Sequence, residues 1–272
     1  FPPLFTVDIA DVPPAVRDRI GELYLQMISI LGKRSAQMHK ALSLSQNNPQ
    51  FDPESFSQLY QRSLYQSMQG LLQRTFQSLD KHLKEIPENY RPLAQSVLEN
   101  EKKILDTMRK IVQRKITSTK IRIHGDYHLG QVLYTGKDFV IMDFEGEPAR
   151  PISERKLKRS PFKDVAGMIR SFHYATYSTL FLNPTFRDAD LPELENWIIP
   201  LYSYISGVFL NSYLLEAGDA SFIPRDQEQI ATLLQIFLLE KAVYELGYEI
   251  NNRPEWVVIP LQGIRSLLSD KK

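Results

Sequence analysis

The sequence predicts a mainly α fold with a small β-hairpin region, an α+β chain in which helix dominates. Three observations predict it. Apolar residues recur three or four positions apart through residues 1–119, which places them on single helix faces. Short β-favouring runs are confined to residues 120–146. Helical spacing then resumes through residues 147–272.

The first helical stretch carries Ile20, Leu23, Met27, Leu31, Met38 and Leu42. Turn-rich "SQNNPQFDPES" separates it from a second, through Phe56, Leu59, Leu64, Met68, Leu72, Phe76 and Leu79. "EIPENYRP" breaks that helix, and a third follows through Val97, Ile104, Met108 and Ile111. "KIRI", "QVLY" and "DFVIMDF" are the β runs, the last two joined by "TGKD", good turn chemistry for a hairpin. Later helices start near Asp164, run through "ELENWIIPLYSYISGVFLNSYLLEAG" with Pro200 predicted to kink or split it, and continue from about Asp226 to Ile250. A last helix follows "NNRPEW".

Lys+Arg and Asp+Glu nearly cancel, for a net charge of +1, so the chain lacks the basic excess of a protein that grips nucleic acid or an anionic membrane. There is no cysteine, hence no disulfide framework and no thiolate metal site. No continuous apolar run approaches the roughly 18 residues of a membrane span, and a cytoplasmic chain is the expectation. The opening "FPPLF", without Met, reads as part of something longer.

The chemistry concentrates in "IRIHGDYHLGQVL". His124, Asp126 and His128 are metal-ligand types, so a histidine metal site is one reading and a plain turn another. A third uses more residues. Asp126 lies in a loop after a strand, Gln131 follows it, and the second hairpin strand ends at Asp143 with Glu145 just beyond. That order matches kinase-type phosphoryl transfer: a loop aspartate takes the hydroxyl proton, while an amide and a strand-end aspartate bind Mg²⁺ on the phosphates of ATP. Amide and carboxylate oxygens are the hard donors Mg²⁺ prefers.

"HGDYHLGQVL" and "IMDFEGEP" resemble the aminoglycoside phosphotransferase and choline kinase group. "LGKRSAQMHKAL", "FSQLYQRSLYQSM", "DFEGEPARPISERKLKRSPFKDVAGMIRSF" and "YELGYEINNRPEWVVIPL" resemble the maltokinase family within it, including the domain fused behind trehalose synthase in many bacteria. The resemblance implies a protein-kinase-like C-terminal lobe over residues 1–272 and phosphorylation of maltose, or a related glucoside, to maltose 1-phosphate. It makes Asp126 the base and Gln131 and Asp143 the Mg²⁺ ligands, with Glu145 assisting. Asp164 and His124 would support the loop. Tyr248, Glu249, Asn252, Arg253 and Trp256 would lie around the sugar, and His128 would either touch it or prop the loop. It also implies a missing N-terminal lobe that holds ATP, without which the piece turns over poorly, and an associated trehalose synthase. The face meeting that lobe would be apolar and suited to homo-oligomer formation.

Blander readings stand beside these. Asp164 could serve only as a helix cap, Trp256 as a core residue, and "ERKLKR" (Glu154 to Arg159) as a solvated loop. His39 and His82 fall on polar helix faces. Two other classes compete with the enzyme: a sugar-binding module or degenerate kinase, and a helical assembly module. The joint presence of Asp126, Gln131 and Asp143 favours the enzyme.

Overall fold

The structure, a computed structural model, describes residues 4–181 and 191–268. Its helices are α1 (Pro14–Ile20), α2 (Glu22–Leu42), α3 (Gln58–Lys81), α4 (Arg91–Glu99), α5 (Glu101–Gln113), α6 (Ile152–Arg155), α7 (Phe162–Phe181), α8 (Leu191–Ala217), α9 (Gln227–Asn252) and α10 (Val258–Leu268). Two small antiparallel sheets complete it: β1 (Glu54–Ser55) with β2 (Thr119–Lys120), and the hairpin β3 (Val132–Tyr134) with β4 (Phe139–Ile141), in the register Leu133 opposite Val140. The mainly α class with one short hairpin is what the hydrophobic spacing predicts.

The differences have local causes. The first predicted helix is two, because Gly21 adopts φ 89°, a conformation a helix cannot carry. The third breaks at Asn100, between α4 and α5. "KIRI" is barely a strand: only its Lys120 pairs with β1, alongside the preceding Thr119, and Ile121 makes one bridge to Arg159. Pro200 does not split α8, which runs on either side of it. Leu23 and Leu59 point to solvent, and Leu25, Ile28 and Leu64 take the core positions.

One helix segment, Asn196–Ala217, is long and apolar enough by length and composition to cross a membrane. Reading for continuous apolar runs passes over it, because Tyr, Ser and Asn interrupt a segment whose mean hydropathy is still 1.3. Val208, Phe209 and Tyr213 of this segment are buried against the rest of the fold. The packing on α2 is close: a Cβ on Gly32 would lie 2.5 Å from the Phe209 carbonyl oxygen.

Helix α9 is buried on nearly every side, through Leu233, Leu234, Ile236, Phe237, Leu239, Ala242, Val243 and Leu246, as expected of a central helix. Asp226 caps it by accepting from the Glu228 N–H at 2.8 Å. Helix α7 packs beside it through Val165, Met168, Ile169 and Phe172. Helix α7 forms the floor on which the loop of residues 124–131 rests.

Within this core His173 is only 2% exposed, stacks on Tyr177 (ring centroids 4.1 Å apart), meets Tyr202 edge-on, and has no hydrogen-bond partner among the described residues. Burial, and then the charge of Arg170, hold its pKa well below the ordinary 6.5. The unfolded chain therefore takes up a proton that the folded chain refuses as pH falls. Stability is expected to decline by about 1.4 kcal/mol per pH unit below about 6.5 on account of this residue. Denaturant titrations at several pH values should show that His173→Leu flattens the slope between about pH 6.5 and 5. An unchanged slope would refute this.

Candidate active site

The loop begins where the chain leaves Ile121, which is fully buried. Asp164, the third residue of α7, sits beneath it and is itself buried. Its two carboxylate oxygens accept the backbone N–H of His124 (2.8 Å) and of Gly125 (2.9 Å). Asp164 is thus inside the helix and bonded to the loop, where the sequence alone also allowed a cap at the helix start. The loop turns at Gly125, with φ 87°, a conformation that favours glycine.

His39 completes the arrangement and corrects the expectation of an exposed position. It is fully buried, its Nε2 lying 3.1 Å from Asp164 Oδ2 and its Nδ1 2.9 Å from the Tyr213 hydroxyl. His82 is half-buried and donates through Nδ1 to the Ser78 carbonyl at 2.8 Å.

His124 is also buried. Its Nε2 lies 2.7 Å from the Met142 carbonyl, which can only accept, so Nε2 carries the proton. Its Nδ1 then accepts a long bond from the Asp126 N–H at 3.4 Å. His124 therefore ties the loop to the strand that leads into Asp143. Tyr127 anchors the other side, its hydroxyl 2.7 Å from Ser35 Oγ, and the Leu129 N–H donates to Ser171 Oγ at 3.0 Å. The loop lies so close to α7 that a Cβ on Gly167 would stand 2.6 Å from the Tyr127 carbonyl oxygen. Gly167→Ala is expected to cost about 1–3 kcal/mol in denaturant unfolding, as overpacking does, and to shift the loop.

His128 caps the turn Leu129–Gln131 by accepting from the Gly130 N–H at 3.1 Å, while its Nε2 is 3.9 Å from Asp126 Oδ2. Burial pushes His128 below its ordinary range, with Asp126 opposing. Gln131 and Asp143 meet at the hairpin base, Gln131 Nε2 lying 3.2 Å from Asp143 Oδ2. A half-turn of the amide exchanges its nitrogen and oxygen, which would put two hard oxygen donors side by side, a pair that fits Mg²⁺. Asp143 is exposed and adopts φ 61°, an unusual conformation for a side-chain-bearing residue and one that concentrates at functional sites. Glu145 is not beside this pair; it extends toward Arg155, 3.7 Å away. No cluster of three or more His, Cys, Asp or Glu suited to a metal occurs among the described residues, so the histidine metal site finds no support there.

Asp126 opens onto a cavity of about 640 Å³ between the loop, α7 and α9. Of the residues predicted around the sugar, His128, Tyr248, Glu249 and Arg253 line it. Asn252 does not: it is exposed and its amide donates back to the Tyr248 carbonyl at 2.7 Å. Trp256 also stands outside the lining, stacked on Tyr174 with an 18° interplanar angle and covered by the Arg253 guanidinium at 4.5 Å.

Glu249 is buried and held by Arg253 through two bonds, Nε to Oε2 at 2.9 Å and Nη2 to Oε1 at 2.7 Å, with the Tyr174 hydroxyl donating at 3.1 Å. Burial raises its pKa and Arg253 opposes the rise. Sequence reasoning missed Glu147, Lys241, Tyr244 and Glu245, which also line the cavity. Glu245 is held by buried Arg170 at 2.8 Å. The Tyr244 phenol is pushed up to about 12, by burial and by the neighbouring charge of Glu147. Their signal was helical spacing: Lys241, Tyr244 and Glu245 lie one and two turns before Tyr248 and Glu249 on one face.

No family model matches the chain. A solved structure of glucosamine kinase superposes over 95% of the chain with a TM-score of 0.70 at 22% identity. The fold is shared with the matched part of glucosamine kinase. A second structure, of glucosamine kinase in complex with glucosamine, ADP and inorganic phosphate, gives 0.69 at 21% identity. Curated glucosamine kinases from Streptacidiphilus jiangxiensis and Mycolicibacterium smegmatis are 28% and 26% identical over 153 and 149 residues. Those matches take in 56% and 54% of this chain but only 32% and 34% of the relatives' length, and the chain covers 57% and 59% of the two structures. The maltokinase resemblance therefore narrows to a sugar-kinase fold shared with glucosamine kinase.

Proposed function

We propose that the chain forms the acceptor side of an ATP-dependent sugar kinase. The observation that carries this reading is the position of Asp126. Asp126 lines a sugar-sized cavity, on the loop that leads directly to the paired Gln131 and Asp143 side chains. The glucosamine kinase relatives support it.

In this reading Asp126 accepts the proton of the attacking sugar hydroxyl and orients it toward the terminal phosphoryl group. Asp164 and His124 keep the loop in place, so the base does not have to be organised during the reaction. Mg²⁺ held by Gln131 and Asp143, with Glu145 as an outer contributor, would neutralise charge on the nucleotide phosphates. Tyr248 and Tyr244 offer faces to a pyranose, and Lys241, Glu147 and Arg253 offer hydrogen bonds to its hydroxyls.

The acceptor is a neutral glucoside, with maltose, giving maltose 1-phosphate, as the substrate indicated by the sequence resemblance. Charge pairing in the cavity supports this: Glu245 and Glu249 each already hold an arginine, and Lys241 adds a further cation. An ATP-binding lobe and an associated trehalose synthase belong to the proposal on the resemblance alone. The relatives favour a second acceptor, glucosamine, whose ammonium could pair with Glu147. The two separate in kcat/KM measured with ATP for maltose, glucose and glucosamine, using the full natural polypeptide. A ratio favouring maltose by about tenfold or more supports the neutral acceptor; a preference for glucosamine overturns it.

Apolar Leu133, Val140 and Met142 share one exposed face of the hairpin, and Phe144 is exposed just beyond. This is the kind of surface that the resemblance assigns to contact with a second lobe.

A further inference from the structure

The segment that leaves Asp143 and becomes the wall of the cavity is fixed by one side chain outside it. Residues 143–151 contain two left-handed positions, Asp143 at φ 61° and Gly146 at φ 76°, so the chain turns sharply twice before reaching Glu147. Pro148 and Ala149, with Glu147, then line the cavity opposite α9.

Arg155, the last residue of α6, reaches back over this segment. Its Nε donates to the Arg150 carbonyl at 2.8 Å and its Nη2 to the Pro148 carbonyl at 3.1 Å. Nη1 lies 3.7 Å from Glu145 Oε2. The stem packs under Gly146, where a Cβ would stand 3.4 Å from Arg155 Cβ, and a Cβ on Gly125 of the loop would stand 3.4 Å from Gly146 Cα. The Arg155 side chain is only 21% exposed. This corrects the expectation that "ERKLKR" is a solvated loop, as does Lys158, which is buried and bonded to Glu54 at 2.7 Å.

The contacts fall at both ends of the segment. Glu145 follows Asp143 by two residues in the chain, while the Pro148 and Arg150 carbonyls flank Ala149. Glu147, between the two ends, lines the cavity together with Tyr244. A planar guanidinium can serve two carbonyls and a carboxylate at once because its donors lie in a fixed fork; a lysine ammonium on a flexible stem cannot reproduce that geometry.

We infer that Arg155 is a positioning residue that sets the acceptor wall, holding Glu147 and Ala149 in register with Asp126. This rests on the acceptor-site reading above. Arg155 does not line the cavity, and its one contact on the metal side is the long pair with exposed Glu145, so its effect falls on sugar binding more than on nucleotide use.

The test uses Arg155→Ala and Arg155→Lys in the full natural polypeptide. Maltose and glucosamine are titrated by calorimetry without nucleotide, and sugar and ATP KM values are measured in parallel. Both variants are expected to weaken sugar binding by about tenfold, with sugar KM rising by the same factor, as misplacement of a positioning element does. ATP KM should stay within about twofold. Sugar affinity within about twofold of wild type in either variant overturns the inference, as does an equal rise in both KM values. If the alanine variant does not fold, the lysine variant decides alone. A wild type that binds sugar without phosphorylating it sinks the kinase reading and leaves the binding comparison to judge Arg155. A wild type that binds neither sugar overturns both.

Discussion

Replacing Asp126 by Asn is expected to lower kcat for sugar phosphorylation by about 10³-fold, within the range general-base removal produces. Sugar affinity should change little. Asn keeps the size and one oxygen of the side chain but cannot take the hydroxyl proton. The loop should survive the change, because its anchors lie elsewhere: Asp164 holds the N–H groups of His124 and Gly125, and Tyr127 and Ser171 hold the far side. Calorimetry with sugar and a kinase assay on one preparation separate the two effects. Loss of sugar binding in parallel with kcat would mean that Asp126 binds the acceptor and is not its base.

The second large effect belongs to Asp164. It is 2% exposed and accepts from two backbone N–H groups, with His39 Nε2 3.1 Å away as a third partner. Asp164→Ala leaves those buried donors without an acceptor, and breaking a buried charged network of this kind costs about 3–5 kcal/mol. For a chain of this size that is a fall of roughly 10 °C in the unfolding midpoint. Activity should fall as well, since the backbone on both sides of Gly125 loses its anchor. Asp164→Asn is expected to be milder, because the amide oxygen still accepts one loop N–H while its NH₂ group opposes another. A calorimetric midpoint for Asp164→Ala within about 2 °C of wild type would show that the loop holds itself.

How much of this was legible in the sequence differs by element. The helices of the core and the hairpin Val132–Ile141 follow from local signals, spacing and turn chemistry, and those signals do not depend on tertiary contacts. Strand β1 was invisible because two residues, Glu54 and Ser55, pair only through a partner more than sixty residues away. The exposed setting expected for His39 was wrong because a buried histidine is recognised by its partner, and Asp164 reaches it only in the folded chain. The opposite happened at Asn252, which sequence proximity to Glu249 and Arg253 suggested as a cavity residue. Helix geometry turns its amide back onto the Tyr248 carbonyl. Arg253 and Glu249 do line the cavity, but largely as each other's partners. Charge pairing of this sort is set by rotamers and depth, which spacing does not encode.

In the proposed function Asp126, Gln131 and Asp143 form a phosphotransfer site facing a sugar cavity. The measurement that tests it most directly is transfer of label from γ-labelled ATP to sugar in the presence of Mg²⁺. It should use the full natural polypeptide, with maltose and glucosamine as acceptors and the Asp126→Asn variant alongside. The expected result is a labelled sugar phosphate that depends on Mg²⁺ and is nearly lost in the variant. Absence of labelled product with either sugar, or product formed equally well by Asp126→Asn, would contradict it.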